Sequence, residues 1–118
     1  MNELTISNYL KHLGIPASIN GYYYLRSAIL IMLADNKFRF GITKILYPQI
    51  AEEYNTTASR VERGVRHAIE KAWNNGDMDF QNKIFKYSLS IEKGKPTNRE
   101  FITTLVDYIL LHKGEYNE

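Results

Sequence analysis

Thr56-Thr57-Ala58-Ser59-Arg60-Val61-Glu62-Arg63-Gly64-Val65-Arg66-His67-Ala68-Ile69-Glu70-Lys71-Ala72-Trp73 is the stretch from which the rest of the chain is read. Wound as a helix at about 100° per residue, it places Val61, Val65, Ala68, Ile69 and Ala72 on one side. Ser59, Arg63, Arg66 and Glu70 fall on the opposite side, flanked by Glu62 and His67. Taken alone, Thr57–Trp73 is an amphipathic helix with a solvated charged face, a common arrangement. The residues just upstream make it more specific. Ile50-Ala51-Glu52-Glu53-Tyr54-Asn55 supplies a small residue where two helices meet and a turn residue that tolerates positive φ, and Val61 and Val65 then anchor the second helix. That layout is a helix-turn-helix over about residues 48–73, the second helix of which enters a major groove in proteins built this way. Arg63 and Arg66, about one turn apart on the outward side, are then the expected base readers.

Size and composition bound what surrounds this element. A chain of 118 residues fits one domain, expected to span 1–118, with one modest core. The absence of cysteine removes disulfide frameworks and thiolate zinc sites and suits a reducing cytoplasm. The longest apolar run, Ala28 to Ala34, is too short to span a bilayer, so no membrane partner is expected. The start Met1-Asn2-Glu3-Leu4 lacks the basic and apolar regions of a signal peptide. A formal charge of +2 does not announce a polyanion partner. Its distribution matters more: Arg60, Arg63, Arg66 and Lys71 stand against Glu62 and Glu70 within one segment.

Along the chain, periodicity predicts an all-α bundle of about six helices. Ile6, Tyr9, Leu10 and Leu13 recur at helical spacing, and Gly14 supplies the stop. Tyr22 to Leu33 carries a wide stripe of Leu25, Ala28, Ile29, Met32 and Leu33 and reads as the central pillar. Its three consecutive tyrosines point in three directions, so they are read as core and interhelix packing, not as a base-stacking platform. Lys37–Gly41 connects to a short helical turn over Thr43–Leu46, and Pro48 marks the first turn of the next helix, with Ile50, Ala51 and Tyr54 inward. Thr56 or Thr57 caps the segment quoted above. Gly64 inside it costs about 1 kcal/mol relative to Ala, which implies close packing as compensation. Asn74-Asn75-Gly76 ends it, and Asp77 or Asp79 caps a short helix through Phe85. Tyr87, Leu89 and Ile91 alternate with polar residues, but no second strand presents itself, so extended coil is expected. Thr97-Asn98-Arg99-Glu100 fits a capping box, and Phe101, Leu105, Val106, Ile109 and Leu110 give a last amphipathic helix before a polar, frayed tail, Lys113–Glu118.

The chemistry of the exposed residues points the same way. A guanidinium fork matches the two acceptors of guanine, which suits Arg63 and Arg66, and Glu62 can accept from a cytosine amino group. His67 can donate to a base or a phosphate oxygen. Ser59, Arg60, Lys95 and Thr97 suit phosphate contacts, which position without specifying. No catalytic constellation is visible: there is no Gly-rich phosphate loop, nucleophile elbow or triad, so no enzyme and no cofactor are expected. His67 and Glu70 alone make half a metal site, and His12 and His112 add no ligand partners, so no metal is expected either.

Four runs in order, PASINGYYYLRSAI from Pro16, ITKILYPQIAEEY from Ile42, NTTASRVERGVRHAIEKAW from Asn55 and KPTNREFI from Lys95, resemble the C-terminal DNA-binding effector domain of the sporulation initiation response regulator, the stage-zero sporulation master transcription factor. The resemblance implies a six-helix domain that binds short promoter boxes in bacterial double-stranded DNA, in tandem as a head-to-tail pair or as a homodimer, and that activates or represses through RNA polymerase. It implies that His67 joins Glu62, Arg63 and Arg66 at the bases. It also implies that the surface after the recognition helix, where Gly76 and Phe85 keep the family pattern, touches the polymerase sigma subunit; the Asp77–Lys83 stretch between them departs from it. Gly64 departs from the Ala usual in the family. Family members carry an N-terminal phosphoacceptor receiver domain, and this sequence contains none. It is expected either to have lost that domain by trimming or to be a stand-alone paralogue beginning at Met1. The alternative reading is a receiver-less helical interaction module, an adaptor or antagonist of a full-length sporulation regulator.

Overall fold

A computed structural model describes residues 2–86 and 94–112 of the chain. Among these residues the chain forms α1 (Glu3–Leu13), α2 (Asn20–Ala34), α3 (Tyr47–Glu53), α4 (Ala58–Asn75), α5 (Met78–Phe85) and α6 (Asn98–Leu111). Over the described residues the protein is thus all-helical, a bundle of six α-helices as expected. Between α2 and α3 lie a 3₁₀ turn, Asn36–Phe40, and a π-helical turn, Ile42–Leu46, which runs straight into α3. The segment Tyr87–Ile91 and the tail Lys113–Glu118, expected as extended coil and frayed end, lie outside the described residues.

Local chemistry sets the ends of these helices. The chain leaves α1 through Gly14 at φ 103°, with the amide of Ile15 donating to the Leu10 carbonyl at 3.0 Å. The same closure ends α3, where Asn55 takes the left-handed conformation at φ 53° and the amide of Thr56 donates to the Ala51 carbonyl at 2.9 Å. Asn is among the few non-glycine residues that accept this geometry cheaply. Thr57 then caps α4 by accepting from the Arg60 amide at 3.2 Å. Asp77 caps α5, and Thr97 and Glu100 form a complete capping box on α6.

The five residues expected on the inner side of α4, Val61, Val65, Ala68, Ile69 and Ala72, are all buried. Burial of each larger aliphatic contributes roughly 1.5–3 kcal/mol, several times the cost of one mid-helix glycine. Gly64 has the packing reason anticipated for it. A Cβ there would stand 2.9 Å from the ring of Tyr24, and a Cβ on Gly21 would overlap the Gly64 carbonyl oxygen and lie 2.7 Å from the Cβ of Ala68. Helices α2 and α4 therefore touch backbone to backbone. Tyr22 and Tyr24 are buried and Tyr23 is half open to solvent, in keeping with a packing role for the triplet. A second tie lies at the far end of α4. The side-chain amide of buried Gln81 donates to the carbonyls of Leu13 at 3.0 Å and Ala72 at 2.7 Å, while Trp73, Phe85 and Phe101 pack edge and face to join α4, α5 and α6.

Some expected boundaries and faces are corrected. Helix α2 starts at Asn20, not Tyr22, because Gly21 has to reach α4, and α4 runs two residues past Trp73 before Gly76 stops it. Leu110 is 46 % exposed rather than part of the buried stripe of α6, since at this end only Tyr108 and Ile109 face the core. Replacing Gly21 by Ala is expected to lower the stability of the domain by about 1–3 kcal/mol, because a methyl group is forced against a carbonyl that cannot retreat without moving a helix. Urea denaturation of the variant and the parent checks this.

Candidate nucleic-acid interface

Three neighbours fix the orientation of α4. From below, α2 holds it at Gly21 and Gly64. At its start, α3 is locked to α2 through Ser27, whose hydroxyl donates to the Glu53 carboxylate at 3.2 Å and lies 2.9 Å from the Tyr54 hydroxyl. On one flank, Asn98 at the start of α6 uses its side-chain amide to donate to the Glu62 carbonyl at 3.0 Å and to the Tyr47 hydroxyl at 3.2 Å. One amide thus joins α3, α4 and α6 at the level of the residues expected to read bases.

With the inner side clamped, Ser59, Arg60, Arg63, Arg66 and His67 are all exposed and Glu62 is partly so. They do not form one flat strip. Arg60, Arg63 and His67 border a depression of about 420 Å³ together with Asn20 and Thr56. Ser59, Glu62, Arg63 and Arg66 border a second, of about 450 Å³, so Arg63 stands on the ridge between the two. Glu62 and Arg66 also line a cleft of about 480 Å³ whose far wall is Lys95, Pro96, Thr97, Asn98 and Arg99. The structure therefore brings Lys95 and Thr97 beside the exposed side of α4, although they are about 30 residues away in sequence.

Charges on this surface are mostly paired. The guanidinium of Arg66 donates to both oxygens of Glu62, one of them at 2.6 Å, an i, i+4 pair on the helix surface. The ammonium of Lys95 lies 3.4 Å from a Glu70 oxygen. Arg63 and His67 form no ion pair with another described residue. The Thr97 hydroxyl accepts from the Glu100 amide at 3.1 Å, and its own amide donates to the Glu100 carboxylate, so only the hydroxyl proton is left for an outside acceptor. Tyr47 is 3 % exposed, and burial raises its pKa above the ordinary 10.0. The amide of Asn98 and the guanidiniums of Arg99 and Arg66 oppose that rise, whereas the carboxylate of Glu62 adds to it.

Two residues expected at a partner surface have packing reasons of their own. Phe85 is 1 % exposed and stacked on Phe101, so its ring packs in the core beneath the surface of α5. At Gly76 the backbone passes so close to Leu13, Ala72 and Gln81 that a side chain would collide with all three, which explains the glycine without a partner. Met78, Asp79 and Asn82 form the outer side of α5 instead. Sequence reading missed Asn98 and Gln81. Each makes two side-chain hydrogen bonds to other elements of the chain, Asn98 to the Glu62 carbonyl and the Tyr47 hydroxyl and Gln81 to the carbonyls of Leu13 and Ala72, and neither leaves a periodic trace.

Residues 6–109 of the 118 match the family model described as sporulation initiation factor Spo0A C terminal, a span that holds α2 to α5 whole and most of α1 and α6. No helix among the described residues is long and apolar enough to cross a membrane.

The raised pKa of Tyr47 gives a test of the α3–α4–α6 junction. Below pH 10.0 the phenol is neutral in both folded and unfolded chains, and its contribution is complete. As pH rises through 10.0 the unfolded chain loses its proton first, so this contribution falls until the folded phenol also ionises. Tyr47→Phe is expected to reduce the alkaline loss of stability while costing no more than about 1.5 kcal/mol at neutral pH. Denaturation curves across an alkaline pH series, parent against variant, measure both.

Proposed function

The chain belongs to the family of sporulation initiation factor Spo0A C-terminal domains, which are DNA-binding domains of transcription regulators, and on that basis we propose that it reads short promoter boxes in the major groove with α4. One observation carries the reading. Arg63, Arg66 and His67 stand open to solvent on a helix whose opposite side is wholly buried and held by three neighbours. In this assignment Arg63 and Arg66 read guanines, Glu62 accepts from a cytosine amino group, and His67 donates to a base or phosphate oxygen. Ser59, Arg60, Lys95 and Thr97 contact phosphates and set the register.

The Arg66–Glu62 pair does not oppose this. Both side chains are substantially exposed, at 51 % and 40 %, and an exposed i, i+4 pair is worth about 0.3–0.5 kcal/mol. A bidentate arginine–guanine contact discriminates by about 1–3 kcal/mol, so exchanging one for the other is favourable.

On promoters the domain would act on RNA polymerase, by way of its sigma subunit, through the outer side of α5, with Gly76 and Phe85 shaping that surface from beneath. Two copies would bind head to tail on tandem boxes or as a homodimer. The place of action is then the bacterial nucleoid, in the cytoplasm.

Selection of bound duplexes from a random pool, followed by mobility shifts over a salt series, tests the assignment. Arg66→Ala is expected to weaken binding to the selected box by about 1–3 kcal/mol and to relax the preference at one base pair. Lys95→Ala is expected to lower the salt slope of binding to that box by about one. Absence of any sequence-selective, salt-dependent retardation would favour an adaptor or antagonist of a full-length regulator instead.

A further inference from the structure

At about 100° per residue, Arg60, Gly64 and His67 lie to one side of the outward direction of α4, Glu62, Arg66 and Ile69 lie to the other, and Arg63 is on the ridge between them. The two flanks differ in charge. The 480 Å³ cleft on the second flank has Glu62 and Glu70 in its walls, each paired with a cation. The 420 Å³ depression on the first flank is bordered by Arg60, Arg63 and His67 and by no carboxylate. A further polar group on its border comes from a different element. Asn20, the first residue of α2, is exposed there, and its side-chain amide makes no hydrogen bond to another described residue. Its place beside α4 is fixed by its neighbour, because a Cβ on Gly21 would overlap the Gly64 carbonyl oxygen.

We propose that Asn20 is a further phosphate-contact residue, holding the sugar-phosphate backbone on the side of the major groove opposite to the one held by Lys95 and Thr97. This rests on the DNA-reading assignment of the preceding subsection. A helix lying in a major groove has a backbone running along each of its flanks. Beside the cleft, Lys95 and Thr97 meet one of them from outside α4. Beside the depression, the contacts assigned so far come from α4 alone, and Asn20 supplies the missing one from outside it. A phosphate entering there meets two guanidiniums and no repelling acid, and the free amide donates to its oxygen with no internal pair to break. Gripped from both flanks, α4 cannot roll in the groove, and its arginines reach the base edges in one orientation. Because the amide is neutral, the contact releases no counterion and leaves the salt dependence of binding as it was.

The experiment measures binding of the parent chain, Asn20→Lys and Asn20→Asp to the box selected from a random pool and to a scrambled duplex of equal length. Asn8→Lys and Asn8→Asp make the same charge changes at an exposed position of α1 that borders neither hollow. Asn20→Lys is expected to tighten binding to both duplexes about three- to tenfold and to steepen the salt slope by about one. Asn20→Asp is expected to weaken both about five- to tenfold, with the ratio between duplexes little changed, since a phosphate contact carries no sequence information. The Asn8 variants should stay within twofold of the parent. Ethylation of single phosphates in the selected box then separates contact from mere nearness. Phosphates whose ethylation weakens the parent but not Asn20→Ala should lie across the groove from those that drop out with Lys95→Ala. If the Asn20 variants behave like the Asn8 variants, or if no phosphate drops out with Asn20→Ala, or if the same ones drop out as with Lys95→Ala, the role of Asn20 is overturned, while selective binding by the parent keeps the reading by α4 intact. If the parent itself prefers no duplex, that reading fails and this inference fails with it. Thermal denaturation of each variant alongside the parent confirms that folded proteins are compared.

Discussion

The whole arrangement depends on the contact between α2 and α4 at Gly21 and Gly64, where two backbones meet with no side chain between them. A helix that offers bases its outer side has to be held rigidly from its inner side, and interdigitated side chains alone leave room for rocking. Here the ring of Tyr24 closes over Gly64 and the carbonyl of Gly64 sits where any side chain of Gly21 would be. The glycine lowers the helical preference of α4 in exchange for a fixed distance to the pillar beneath it. Around that point, α3 fixes the approach of the chain through Asn55, and α6 fixes the roll of the helix through Asn98.

Electrostatics on the outer side follow from the same economy of space. The chain carries a formal charge of only +2, yet it presents Arg60, Arg63 and His67 on one flank of α4 and the pairs of Arg66 with Glu62 and Lys95 with Glu70 on the other. One flank is thus ready to meet any polyanion, whereas the other is committed to internal partners. A domain with every cation free would bind duplexes indiscriminately, since phosphate contacts carry most of the affinity and none of the sequence information.

Much of this was legible from residue order. The five buried positions of α4, the left-handed turn at Asn55 and the capping box at Thr97 and Glu100 each follow from a local rule whose participants lie within a few residues of one another. What escaped is long-range or lacks a period. The side-chain amides of Asn98 and Gln81 act on carbonyls 36 and 68 positions away, respectively, and a glutamine or asparagine looks the same in sequence whether it is solvated or buried. The tight 3₁₀ turn over Asn36–Phe40 has no 3.6-residue repeat to betray it. Family pattern at Phe85 identified a position of consequence but not its burial, because a pattern records which residue is kept and not which way it points.

The amide of Gln81 spans the end of α1 and the last turn of α4 by holding the carbonyls of Leu13 and Ala72 together, and this sets unequal tolerances for chain length on the two sides of the molecule. Between Ala72 and Gln81 every residue is counted: one inserted there would rotate the amide away from both acceptors and separate the aromatic trio that seals the base of the bundle. Between Gly14 and Asn20 the chain is pinned at its start, where Gly14 lies against Gly76 and Ile15 is buried, and an extra residue is accommodated only at the exposed Ala17 and Ser18. Drift in loop size is therefore expected at Ala17 and Ser18, before the pillar helix, and barred just beyond the end of α4.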